Sequence, residues 1–503
     1  MQKVIDIHCH MFNLKYLPVA GILRRYSKNN IPHLIAIGIE WLLIKNTSES
    51  YPDKNKILIK NYKPDYYNTP LYKFLGEKAF TYKIQDVFDF KYQDSVTAIE
   101  HMALVGDVLE GELSNALDEF EKINKAELGN FYKSKFINEE DKIKYRAGLL
   151  RRMLNWIIKK FKELINYLKW FVFMTNSEES IYKYITTRDE VGVEKYLHLM
   201  MDVDHFFNED VVNLKYKSYF DFEKEQINNM RQLNGKHSNL IGFVAFNPAR
   251  NNCMEIIEKA INENGFKGVK FYPPLGYRAD GDPNYSEQIE RLFTYCSANK
   301  LPVFTHCNNE GFEALPGGGH SGYNSNPKYW ELALGRHPDL ILCLGHAGGS
   351  EGWFCENKNT DKLLADSINA ADIKDETCLQ KLDWNNSYAS LVFKLCVKYD
   401  NVYCDASYLD DMVESDGSTV TAPKDNFRKR LVKLFDSEPK FRCKIMYGSD
   451  WHMLFQEGKN NVYLKSYLEL FSENELAHCK DDFFYNNAMR FLNLISAQNC
   501  QDQ

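Results

Sequence analysis

Five residues set the chemistry this sequence can reach. His8 and His10 stand with one residue between them in VIDIHCHMF, His306 ends LPVFTHC, His346 sits in LILCLGHAGG, and Asp450 ends KIMYGSD. Three neutral imidazoles and one carboxylate suit Zn²⁺, with Mn²⁺ or Fe²⁺ as alternatives. One such ion leaves a position open for water, whose pKa it lowers toward neutrality. Asp450 can then accept that water's proton. Lys270 in GVKFY and Asp405 in VYCDAS close two further apolar runs. Asp405 reads as support behind a ligand or as a helix N-cap. In an ideal strand alternate side chains share a face. That places Val4 and Asp6 with His8 and His10, and Ile5, Ile7 and Cys9 on the other side.

Residues so far apart need a frame that brings them to one place. Eight short apolar runs supply strand candidates: 3–8, 196–203, 240–246, 268–272, 301–306, 340–346, 402–406 and 444–448. Helical patterns such as 253–264 and 286–299 lie between them. Strand and helix in alternation predict a parallel sheet. Eight units predict an α/β fold of the (β/α)8 TIM-barrel kind, whose strand C-termini gather at one face. An open doubly wound sheet would carry a glycine-rich turn after its first strand, where this chain has His-Cys-His. The alternation is interrupted once. Residues 14–190 lack strand signals and contain long amphipathic patterns, so they read as a mostly helical insertion after the first strand. The expected division is 1–13 (first barrel strand), 14–190 (insertion or cap) and 191–503 (the rest of the barrel).

Bulk properties narrow the class. The 503 residues carry a formal charge of -7, which argues against nucleic-acid binding. No apolar stretch is long enough to span a bilayer, and the start lacks a signal-peptide pattern. The expectation is a cytoplasmic protein with a small-molecule substrate, no nucleic-acid partner and no membrane association. The 12 cysteines show no close pairing, which fits reduced thiols.

The residues His8-x-His10, Lys270, His306, His346 and Gly448-Ser449-Asp450 resemble the amidohydrolase superfamily. GFKGVKFYPP, PVFTHC, NPKYWELALGRHPDLILCLGHAGG, IMYGSDW and FFYNNAMRFLNL are similar to its amidohydrolase-related (amidohydrolase 2) branch, which includes aminocarboxymuconate-semialdehyde decarboxylase. The resemblance covers residues 1–12 and about 195–495 and leaves out the insertion. It implies that His8, His10, His306 and Asp450 ligate one metal and that His346 is the acid/base or carbonyl-polarising histidine. In some members a lysine at the Lys270 position is carboxylated and bridges two metals; the branch implies one metal, with the lysine near substrate. A homodimer is implied by resemblance only.

The function expected is metal-dependent hydrolysis, with a metal-activated water attacking an amide, ester or lactone carbon. The same site serves a non-oxidative decarboxylase of an aromatic or unsaturated carboxylate. A PHP/TatD-like phosphoesterase also begins with His-x-His, and Asp450-Trp451-His452 partly echoes the former. A degenerate barrel that binds a partner through the insertion is the non-enzymatic reading. Lys270, Arg278 in LGYRADGD, His320 in LPGGGHSGYNSNP and His452 are the substrate-binding candidates.

Overall fold

The computed structural model describes residues 2–19, 176–187, 192–203, 221–281, 284–311, 322–354, 387–414, 417–473 and 475–495, with 22, 170, 173, 174 and 384. Two units divide the chain, residues 1–59 with 177–503, and residues 60–176. The first holds every strand described. Most of the insertion expected over 14–190, and His320, lie outside the described residues.

The strands are β1 (Val4–Cys9), β2 (Val193–Leu199), β3 (Leu240–Phe246), β4 (Gly268–Phe271), β5 (Val303–His306), β6 (Leu342–Gly345), β7 (Val402–Asp405) and β8 (Ile445–Met446). They pair in parallel in the order β1 to β8. Backbone bonds then join the two ends of the sheet: Ile7 N donates to Tyr447 O at 3.2 Å and Asp450 N to His8 O at 2.8 Å. A helix follows each of β2 to β8, among them Asn228–Lys236, Cys253–Asn262, Ser286–Ala298, Lys328–Arg336, Tyr388–Lys398, Thr421–Ser437 and Trp451–Glu457. The fold is a (β/α)8 barrel. Its strands read as near-continuous Val, Ile, Leu and Phe runs because both faces are covered, one by the barrel interior and one by helices.

The interior below the strand ends is apolar. Ile5, Ile7, Leu197, Leu199, Phe243, Phe304, Cys343, Tyr403 and Met446 form one cluster with Ala488, Phe491 and Leu492. Phe491, from the helix Asn487–Phe491, reaches Phe243, Phe304 and Tyr403 with ring centroids 6.1, 6.2 and 5.7 Å away. Phe304 and Tyr403 each lie two residues before a polar strand end, His306 and Asp405. Phe491 thus floors the barrel beneath the polar layer.

Two expectations need correction. Ile5 and Ile7 do not face away from the interior; they belong to its core. The register of β1 against β2 shifts between Asp6 and Cys9. This irregularity resets the alternation, so the His8 ring meets Phe304 of the same core edge-on at 4.9 Å. The thiols are not uniformly reduced either. Cys9, Cys253, Cys296, Cys307, Cys343, Cys396, Cys404 and Cys479 are free and buried, but Cys443 is disulfide-bonded. Among the described residues no helix is long and apolar enough to cross a membrane.

Candidate active site

The ends of β1 and β8 build the first half of the site. His10 donates from Nδ1 to Leu199 O at 2.7 Å, which leaves Nε2 bare. The Trp451 indole holds His10 O at 2.7 Å from the other side. His8 donates from Nδ1 to Asp405 Oδ2 at 2.9 Å, which leaves its Nε2 bare as well. Both bare nitrogens converge on Asp450 Oδ1, at 3.7 Å from His10 and 4.0 Å from His8. That oxygen is buried and accepts no hydrogen bond among the described residues. Donors on a tetrahedral zinc lie roughly 3.3–3.6 Å apart. The three atoms therefore fit one divalent cation. His452 Nδ1 lies 3.0 Å from the same oxygen.

The backbone is shaped to make this meeting. Asp450 has φ 54° and ψ 45°, a left-handed conformation that a side-chain-bearing residue adopts at a cost of about 1–3 kcal/mol. Asp6 holds the turn in place: its carboxylate accepts Ser449 N at 2.9 Å, Ser449 Oγ at 2.5 Å and His8 N at 3.1 Å. Gly448 is required because a Cβ there would stand 2.8 Å from His8 Cβ.

The ends of β5, β6 and β7 build the second half. His306 donates from Nε2 to Glu310 O at 2.8 Å, so its Nδ1 is bare, and it faces His346 Nε2 at 3.1 Å. His346 has φ 61° and Ala347 φ 45°, a second strained pair at a strand end. Asp405 ties the halves together, since its Oδ1 accepts His346 N at 2.8 Å while Oδ2 accepts from His8. Ser407 Oγ is 2.6 Å from Asp405 Oδ1, 2.7 Å from His8 Nδ1 and 3.0 Å from His346 Nδ1. Its single proton selects the His346 tautomer. Given to Asp405, it lets His346 Nδ1–H donate to Ser407 O at 3.1 Å, with Nε2 bare. Given to His346 Nδ1, it puts a hydrogen on Nε2, pointing at His306.

Burial and neighbouring charge set the protonation. Burial, helped by His452, holds His10 well below the usual histidine range, and burial with His346 beside it does the same to His306. His346 is brought down to about 4 by burial and His8. Burial opposes ionisation of Asp405, but His8, His346 and Ser407 outweigh it and hold its pKa at about 2. Asp450 is likewise held well below the ordinary carboxylate range, burial being overcome by His452, His8 and His10. Neutral imidazoles and ionised carboxylates are the states in which these groups bind a cation.

Among the described residues, two groups of His and Asp come close enough to hold an ion, His8–His10–Asp450 and His8–His346–Asp405. His306 is in neither; it stands beside His346 instead. Lys270 is buried with its Nζ 4.7 Å over the Phe304 ring. Arg278 pairs with Asp280 at 3.2 Å and lies over Tyr329 at 4.7 Å, and neither of these residues belongs to the histidine cluster. Sequence reasoning missed Ser407 and Asp6. Ser407 follows Asp405 by two residues, the same spacing that marked His8 and His10. Asp405 turns out to hold the His8 ring rather than to cap a helix.

Residues 221–373 match the amidohydrolase family model. That stretch includes Lys270, His306 and His346 but not the His-x-His pair or Asp450. No curated protein matches the chain. Among solved structures, an uncharacterized TIM-barrel protein from Bordetella bronchiseptica is similar at 13% identity, with 63% of this chain and 82% of that one covered and a TM-score of 0.38. An amidohydrolase from Burkholderia multivorans, solved with bound zinc, is similar at 11% identity over 63% and 87% of the chains, with a TM-score of 0.38. A dihydroorotase from Saccharomyces cerevisiae, in complex with 5-fluoroorotic acid, is similar at 13% identity over 64% and 82%, with a TM-score of 0.34. Values this low leave the site's chemistry to be argued from this chain's own residues.

Proposed function

We propose that this protein is a metal-dependent hydrolase of the amidohydrolase type, acting on an amide, ester or lactone carbon of a small molecule. The observation that carries the reading is the convergence of His8 Nε2 and His10 Nε2 on the buried Asp450 Oδ1. These residues would hold one divalent ion, zinc by the donor set, with His306 joining through its bare Nδ1. Such an ion supplies Lewis acidity toward a carbonyl oxygen and a water that ionises near neutral pH.

The chain's own residues do the rest. Asp405 and Leu199 O fix the two His-x-His rings with Nε2 toward the centre. The Asp450 carboxylate, kept ionised against its burial by His452, His8 and His10, takes the proton of the attacking water. His346 Nε2 then polarises the carbonyl, or passes on to the leaving group the proton that Asp450 has taken up. Ser407 accommodates either tautomer: its hydroxyl faces Asp405 when His346 carries its hydrogen on Nδ1, and turns to Nδ1 when that hydrogen sits on Nε2.

Protein purified without chelator should carry about one divalent ion per chain by elemental mass spectrometry, and His8→Ala and Asp450→Asn should lose it. Against a panel of amides, esters and lactones, Asp450→Asn should lower turnover roughly 10²–10⁴-fold with the circular dichroism unchanged. Release of CO₂ without water uptake would redirect the reading to a decarboxylase. A folded chain that takes up no metal after supplementation would end it.

A further inference from the structure

We propose that Lys270 seats a carboxylate of the substrate. This rests on the hydrolase reading above and narrows its substrates to small carboxylic acids.

Lys270 pairs in register with Phe304, two residues before His306, and its side chain is 1% exposed. Its Nζ makes no hydrogen bond and no ion pair among the described residues. It stands 4.7 Å from the Phe304 ring centroid and 5.8 Å from that of Tyr272. Ring faces attract an ammonium but do not accept its three hydrogens as oxygens do. A buried ammonium in that position lacks an acceptor, which is costly unless something charged arrives to supply one.

The group sits where the chemistry is. The Phe304 ring beneath its Nζ meets the His8 ring at 4.9 Å, and the Tyr272 ring lies 4.8 Å from that of His306, so the ammonium stands beside both halves of the site. The two nearby carboxylates are committed elsewhere. Asp405 serves His8, His346 and Ser407. Asp450 faces His8, His10 and His452. Burial lowers the Lys270 pKa to about 8.

The donor count gives the class of anion. A phosphate dianion would want more donors than one lysine offers, and Arg278 is paired with Asp280. A carboxylate matches the ammonium's charge and its single donor group.

The test uses benzoate and its neutral isostere benzamide, titrated by calorimetry into the metal-loaded full chain. Wild type should bind benzoate at least about 10-fold more tightly than benzamide. Lys270→Met should weaken benzoate by roughly 10-fold or more, to the benzamide level, while Lys270→Arg stays within a few-fold. Metal content should match wild type in both variants. Equal affinity for the two probes in wild type overturns the proposal, and that comparison decides alone if Lys270→Met does not fold. Unchanged benzoate affinity in Lys270→Met also overturns it and leaves the hydrolase reading standing. A ¹³C carbamate resonance that appears with labelled bicarbonate and is missing in Lys270→Met would overturn it too, by making this residue an anion itself. A wild-type chain that binds neither metal nor benzoate brings down both readings.

Discussion

The same eight strands are built differently at their two levels. Below, Phe304, Tyr403, Met446 and Phe491 pack as any core does. Two residues higher on β5 and β7 stand His306 and Asp405, in a layer of buried imidazoles, carboxylates and one ammonium. The lower level holds ordinary strand and helix conformations. The upper one holds His346, Ala347 and Asp450 at positive φ. The contrast teaches where each kind of free energy goes: apolar burial beneath stabilises the frame, and the frame in turn holds strained, desolvated polar groups that would not stay assembled alone.

That division can be broken from either side. Phe491→Ala should destabilise the fold by about 3–5 kcal/mol, since it empties a fully buried ring position. Metal affinity of the molecules that remain folded should hardly change. Denaturant melts and chelator competition on the same samples check both halves, and parallel losses would show that the two levels are one unit. Asp405→Asn should do the reverse. It removes the charge that orients His8 and should weaken metal binding roughly 10–100-fold, with a smaller effect on the melt. A further effect concerns pH. Burial brings His198 down to about 3, and it accepts a hydrogen bond from Met11 N at 2.7 Å as a neutral ring. Above about pH 6.5 both folded and unfolded chains carry it neutral, so nothing is lost. As pH falls below that, the unfolded chain takes up the proton first. Stability should then drop by up to about 1.4 kcal/mol per pH unit, levelling off only near the folded value. His198→Asn should flatten the slope in melts between about pH 7 and pH 4; an unchanged slope would assign it to other groups.

Much of this was legible in the residues. The apolar runs placed β3 at its observed limits and the other strands within a few residues, because a strand buried on both faces has a plain composition. The positions of His8, His10, His306, His346 and Asp450 followed from those runs. The facing of Ile5 and Ile7 did not, since a register shift leaves no mark in a pattern of apolar letters. Nor did the pairing of His306 with His346, which depends on Glu310 O capturing the other nitrogen. Ser407 was invisible for another reason: serine is common in turns, and only its three neighbours give it a role. Arg278 looked available in the sequence, and Asp280, two residues on, was its partner.

The bonds that join the ends of the sheet, Ile7 to Tyr447 and Asp450 to His8, also impose a schedule. His8 is made about 440 residues before Asp450. At translation rates of about 5–20 residues per second, roughly 20–90 s separate them. Throughout that interval the first strand has neither its closing neighbour nor Asp6's partner Ser449. The barrel therefore closes, and His8 and His10 meet Asp450, as one event that waits until Asp450 has been made.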